Sequence, residues 1–137
     1  MSTLKIFTDG ACRGNPGPAG IGVVIYENGR VVKSISKAIG PATNNLAEYT
    51  ALIYALQEAL VLKATRVRIH TDSELLYHQL NGEYKIKNQK LKALFDQVQH
   101  LKQGFAVFEI KVIPREENKE ADRLAAKSVP KVGVSRL

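Results

Sequence analysis

An Asn-Gly pair at residues 28–29 stands between two β-branched, apolar runs, residues 21–26 and 31–37. Asn and Gly both tolerate the positive φ that a two-residue turn requires, so these runs are committed to an antiparallel hairpin. Residues 4–10 read as a further strand ahead of them. Between this strand and the hairpin, residues 13–20 are dense in Gly and Pro and are expected to be a loop. The first third of the chain should therefore be a three-strand meander.

The pattern then changes period. Leu46, Tyr49, Ile53, Leu56 and Leu60 recur at spacings of 3, 4, 3 and 4, which predicts a helix over 44–62 with Asn44 or Asn45 as its cap. Residues 66–71 read as a strand and 74–80 as a short helix broken by Asn81-Gly82. Leu91, Leu94, Val98 and Leu101 mark a helix over 89–102, and 105–113 reads as a strand. A last helix is expected over 117–128, with Ala121, Leu124, Ala125 and Ser128 on one face. Helical crossovers place the strands they join parallel. The expected fold class is α/β: a five-stranded mixed sheet, an antiparallel three-strand meander plus two parallel strands, flanked by helices. Residues 1–129 should form one domain, and 130–137 a tail that is either frayed or docked as a short strand.

Composition narrows the setting. Among 137 residues, 20 Lys and Arg oppose 13 Asp and Glu, a net charge of +7 that points to a polyanionic partner, with nucleic acid foremost. The single cysteine, Cys12, excludes an internal disulfide and a zinc finger and is expected to be a small buried hydrophobe. No run approaches the ~20 apolar residues of a membrane span, and the first residues lack the apolar run of a secretory signal. A cytoplasmic monomer without membrane contact is the expectation.

Three acids sit where these elements begin or end: Asp9 at the end of the first strand, Asp72 at the end of the fourth, and Glu48 in the first turn of the first helix. Adjacent parallel strands bring their carboxyl ends together, where open α/β sheets place their sites. Asp122 on the last helix can lean over the same edge. Singly, each acid reads as a turn former, a helix-dipole partner or a solvated charge. Converging, they repel unless cations neutralise them, and oxygen ligands without His or Cys suit magnesium or manganese. Two such ions about 3.5–4 Å apart support in-line phosphodiester hydrolysis.

The motifs around these acids resemble the ribonuclease H family, type 1 branch. They are Phe7-Thr8-Asp9-Gly10-Ala11-Cys12 with the Gly-Pro segment 14–20, Thr43-Asn44-Asn45-Leu46-Ala47-Glu48, Thr71-Asp72-Ser73, and Glu117-Asn118-Lys119-Glu120-Ala121-Asp122. The resemblance implies an RNase H-like fold and an endonuclease that cuts the RNA strand of RNA–DNA hybrids, leaving 3′-hydroxyl and 5′-phosphate ends. It implies that Asp9, Glu48, Asp72 and Asp122 hold two Mg2+ or Mn2+ ions, Asp9 bridging them, and that Glu48 accepts a hydrogen bond from a ribose 2′-hydroxyl. It further implies minor-groove contacts from Asn15, Asn45 and Glu74, and a pocket for a DNA-strand phosphate from Thr43, Asn44 and Asn88.

Two departures stand out. The segment before the last helix, residues 113–118, is short and lacks the loop His of many relatives; Arg115 and Glu116 are its charged candidates. None of His70, His78 and His100 is given a catalytic role. The Trp-containing basic protrusion of some relatives is absent too, leaving Lys85, Lys87, Lys90 and Lys92 as a phosphate-facing patch with Tyr84 for stacking. Weaker hybrid binding is expected, with double-stranded RNA as a further partner. Two alternatives remain open at this point: a binding module on the same fold that has lost activity, and another nuclease of that fold.

Overall fold

The structure, a computed structural model, describes residues 3–130. Three strands come first, β1 (Thr3–Cys12), β2 (Gly17–Glu27) and β3 (Arg30–Ala42), followed by α1 (Asn44–Val61), β4 (Arg66–Thr71), α2 (Glu74–Leu80) and α3 (Gln89–Lys102). β5 (Val107–Val112), a 3-10 turn (Arg115–Glu117) and α4 (Lys119–Ser128) complete the order. The strands form one sheet in the order β3-β2-β1-β4-β5, antiparallel across the meander and parallel across β1, β4 and β5. The expected mixed five-stranded sheet is the one observed. At the hairpin, Asn28 and Gly29 take φ of 53° and 79°, the left-handed pair that an Asn-Gly turn supplies.

Strand alternation sets the layers. Ile6, Ile21, Ile25 and Ile69 are fully buried with Leu52 and Leu56 of α1, in a core that α2 and α3 extend through Leu76, Leu91 and Val98. Two glycines let helices close on the sheet. A Cβ on Gly10 would lie 2.6 Å from the Ala47 backbone of α1, and one on Gly22 would lie 2.1 Å from the Ala121 carbonyl of α4. Gly22 pairs with Asp9 and Gly10 with Ile21, so these glycines face opposite sides of the sheet, with α1 on one and α4 on the other. Both contacts lie at the carboxyl end of β1, beside the acids.

Several boundaries move for local reasons. β2 begins inside the Gly-Pro segment, at Gly17, because β3 continues past Lys37 to Ala42 and pairs back to it, with an irregularity at Ala19/Gly20. The loop is thereby reduced to residues 13–16. Thr43, rather than Asn44 or Asn45, caps α1: its hydroxyl accepts from the Leu46 amide at 3.2 Å. Glu48 is then the fifth helical residue, beyond the first turn. β5 starts at Val107, because Phe105 turns into the core and the Ala106 and Val107 amides both donate to the Thr65 carbonyl. α4 starts at Lys119, since residues 115–117 wind into the 3-10 turn. Among the described residues no helix is long and apolar enough to cross a membrane. Of the expected tail, residues 130–137, all but Pro130 lie outside the described residues; the Pro130 carbonyl accepts from Arg13 Nε at 3.2 Å.

Candidate active site

β1 and β4 pair in parallel with Phe7 opposite His70. Two residues further along each chain, on the same face, stand Asp9 and Asp72. The backbone ladder thus sets the separation of the two carboxyl-bearing positions, while close packing of Ala47 on Gly10 brings Glu48 of α1 to the same end of β1. Asp9, Glu48 and Asp72 each offer a carboxylate oxygen within 4.8 Å of the others. Asp9 and Glu48 are buried and Asp72 is half-buried. Asp122, half-buried on α4, lies outside this ring of three but close enough to Asp9 to act on its ionisation.

The electrostatics follow from that crowding. Burial, then the charge of Asp72, then contact with Asp122, push the Asp9 carboxyl from 3.8 up to about 8. Glu48 is likewise raised well above its ordinary range, first by burial and then by Asp9 and Asp72; the Gly10 amide opposes the shift. Asp9 Oδ1 and Glu48 Oε1 are buried with no hydrogen-bond partner among the described residues. Such orphan oxygens are costly unless something positive completes them.

One residue of the site went unassigned in the sequence. Asn118 is 1% exposed, and its Nδ2 donates to the Thr8 carbonyl at 2.9 Å and to Asp72 Oδ2 at 3.0 Å. It ties β1 to the Asp72 carboxylate from the turn before α4. Its place inside the quoted Glu117–Asp122 motif was a signal, but its partners are 110 and 46 residues away, beyond any local pattern.

Five of the expected substrate residues come together. Asn15, Thr43, Asn44, Asn45 and Asn88 line one cavity of about 450 Å³ with Leu46 and Leu91. Asn15 Oδ1 accepts from the Asn44 amide at 2.9 Å, and Asn88 Oδ1 caps α3 through the Leu91 amide at 3.0 Å. Glu74 stands apart, exposed in the first turn of α2. Cys12 is not a buried hydrophobe: it is half-buried and its thiol donates to Asn44 Oδ1 at 3.0 Å. The expected lysine patch is thinner than the sequence suggested, because Lys92 pairs with Asp96 at 2.8 Å, one turn along α3. Tyr84 is exposed but leans on the His78 ring. Arg115 and Glu116 lie on the exposed 3-10 turn, and His70 is buried in a stack on Phe7.

Comparison with known proteins agrees with this arrangement. The family model described as reverse transcriptase-like matches residues 7–128. The bifunctional protein Rv2228c of Mycobacterium tuberculosis is 43% identical over 124 residues, which cover 89% of this chain and 34% of that protein. The chain thus spans about a third of the length of this relative. Its N-terminal RNase H domain, solved as a fusion with maltose-binding protein, superposes with a TM-score of 0.90 at 40% identity, covering 93% of this chain and 99% of that one. RNase H1 of the archaeon Halobacterium salinarum gives 0.89 at 37% identity, covering 92% and 96%. LC11-RNase H1, isolated from compost by a metagenomic approach and solved with an RNA/DNA hybrid, gives 0.86 at 41% identity, covering 92% and 96%. With a family match over residues 7–128 and RNase H structures of 37–41% identity superposing on nearly the whole chain, the chain belongs to the ribonuclease H family, in the type 1 branch.

Proposed function

We propose that this protein hydrolyses the RNA strand of RNA–DNA hybrids, releasing 3′-hydroxyl and 5′-phosphate ends. The observation that carries the reading is the carboxylate ring of Asp9, Glu48 and Asp72 within 4.8 Å, with two of its buried oxygens unpartnered. An all-oxygen donor set of this kind fits hard divalent cations, magnesium or manganese. Asp9, Glu48, Asp72 and Asp122 would hold two of them. Bound there, the pair supplies the positive charge that lowers the pKa of the attacking water and stabilises the leaving oxygen.

The chain's own residues do the rest. Glu48 presents an acceptor for the ribose 2′-hydroxyl, a donor that DNA lacks, and so selects the RNA strand. Asn118 fixes the rotamer of Asp72 through the 3.0 Å hydrogen bond, so one wall of the ring is set before substrate arrives. Thr43, Asn44 and Asn88 bind a phosphate of the DNA strand in the 450 Å³ cavity, while Asn15 and Asn45, at the same cavity, and Glu74 on α2 meet the minor groove. Neutral amides and a hydroxyl tolerate every sequence, because they address backbone and shape rather than base edges.

A labelled hybrid, a double-stranded RNA and a double-stranded DNA, each incubated with Mg2+ or Mn2+, test the proposal. Hybrid cleavage that disappears with chelator and falls by orders of magnitude in Asp9→Asn is expected. Turnover that survives Asp9→Asn, or tight hybrid binding without turnover in either metal, overturns it.

A further inference from the structure

α4 packs over β1, β2 and β3 and leaves β4 and β5 uncovered on that side of the sheet. Register places two rows of side chains on the open face: Lys5, Arg68 and Glu109, then Phe7, His70 and Lys111. The acidic pair forms the next row, two residues beyond Phe7 and His70. A cavity of about 670 Å³ opens over these rows and runs round the edge strand β5 toward α2, gathering Lys102 on its way.

The charge of this cavity is one-sided. Four cations, Lys5, Arg68, Lys102 and Lys111, line it against a single carboxylate, Glu109, which already engages Arg68 at 3.0 Å. Lys5 and Lys102 hold their ammonium groups over the rings of Phe7 and Phe108, at 5.6 and 4.9 Å from the centroids. Ring faces position an ammonium without neutralising it. Lys111 forms no ion pair among the described residues. Cations gathered around a concave surface raise the local potential and gather anions. A coat of solvating lysines needs neither concavity nor aromatic seats.

We propose that this cavity is a phosphate-binding site, distinct from the carboxylate ring and taking either a stretch of nucleic-acid backbone or a free polyphosphate. Lys5 lies four residues from Asp9 along β1, about 13 Å at the rise of a strand, so a phosphate held there does not touch the acids. It shares their sheet face, however, and a nucleic-acid strand is long enough to occupy both. The site does not depend on the nuclease reading: a chain without turnover would keep it.

The test uses the whole chain in chelator, so that binding is read without catalysis. Calorimetric titrations with inorganic pyrophosphate and with a single-stranded RNA decamer compare the wild type, Lys5→Gln/Lys111→Gln, and a control of equal charge, Lys33→Gln/Lys37→Gln on β3. Loss of two phosphate-facing cations should weaken binding by about tenfold or more at low salt, and the control by much less. Pyrophosphate should also shift the backbone amide resonances of residues 68–70 and 108–111 in the nitrogen-15-labelled protein. If RNA weakens in the cavity variant, with or without pyrophosphate, the occupant is a nucleic-acid backbone; if pyrophosphate alone weakens, it is a free polyphosphate. Equal losses in cavity variant and control, no measurable binding of either probe, or amide shifts confined to other faces overturn the proposal.

Discussion

Two buried carboxyls, Asp9 and Glu48, favour their protonated forms in the metal-free site. With Asp9 pushed from 3.8 to about 8 by burial and its acidic neighbours, the folded chain keeps a proton that the unfolded chain has released. The folded state therefore binds more protons between about pH 4 and pH 8, and stability is lost as pH rises through that window. In chelator the melting temperature is expected to fall from pH 5 to pH 8. Divalent cations should raise it most at the upper end, because they bind the ionised folded form, and Asp9→Asn should reduce the pH slope, leaving the share that Glu48 contributes. A slope that survives this substitution unchanged would place its origin elsewhere. Asn118 makes a second prediction at the same scale. Asn118→Ala should cost about 10–100-fold in metal affinity or in hybrid cleavage, the usual penalty for losing the partner of a ligand, and leave Asp72 free to rotate; Asn118→Asp should cost more, by setting a carboxylate against Asp72 and the Thr8 carbonyl. Metal titration followed by melting separates the loss from misfolding.

Helices reach this site because two glycines let them. Gly22→Ala would drive a methyl to within 2.1 Å of the Ala121 carbonyl, so α4 must retreat, at a cost of roughly 1–3 kcal/mol, and carry Asp122 away from Asp9. Urea unfolding should register the first effect and hybrid cleavage the second; an alanine tolerated in both measurements would mean that α4 does not position the fourth acid. The elements themselves were legible wherever a local period ruled. The 3, 4, 3, 4 spacing placed α1, the Asn-Gly pair placed the β2–β3 turn, and α2 and α3 lie at the residues where turn signals and leucine spacing put them. What stayed hidden was decided by partners remote in the chain. β3 runs on to Ala42 because Gly17 pairs with it across the sheet, and nothing within residues 38–42 announces a strand. The capping role fell to Thr43 because Asn44 is held by Asn15 and Cys12. The carboxylates themselves could be read from their motifs, whereas Asn118 could not, since its hydrogen bonds link a late turn to two earlier strands.

The net charge of +7 acts over the whole surface and sets how the protein meets a polyanion. Hybrid affinity should fall steeply with salt, and with about six phosphate contacts a rise from 50 to 200 mM would cost on the order of a thousandfold. The Michaelis constant, read at several salt concentrations, gives the slope and hence the number of contacts; a slope near zero would remove electrostatics from recognition. Without the tryptophan-bearing protrusion, and with Lys92 engaged by Asp96, double-stranded RNA is expected to compete with hybrid in a cleavage assay. A duplex RNA that fails to inhibit at concentrations well above the hybrid would show that the polar cavity proposed for the DNA strand suffices for discrimination. The Asn28-Gly29 turn sits beyond the Lys5–Tyr26 pair, at the pole of the sheet remote from Asp9. Tethering the molecule to a bead, a dye or a second domain through that tip would leave its acidic rim pointing outward, so orientation on a surface can be chosen without disturbing chemistry.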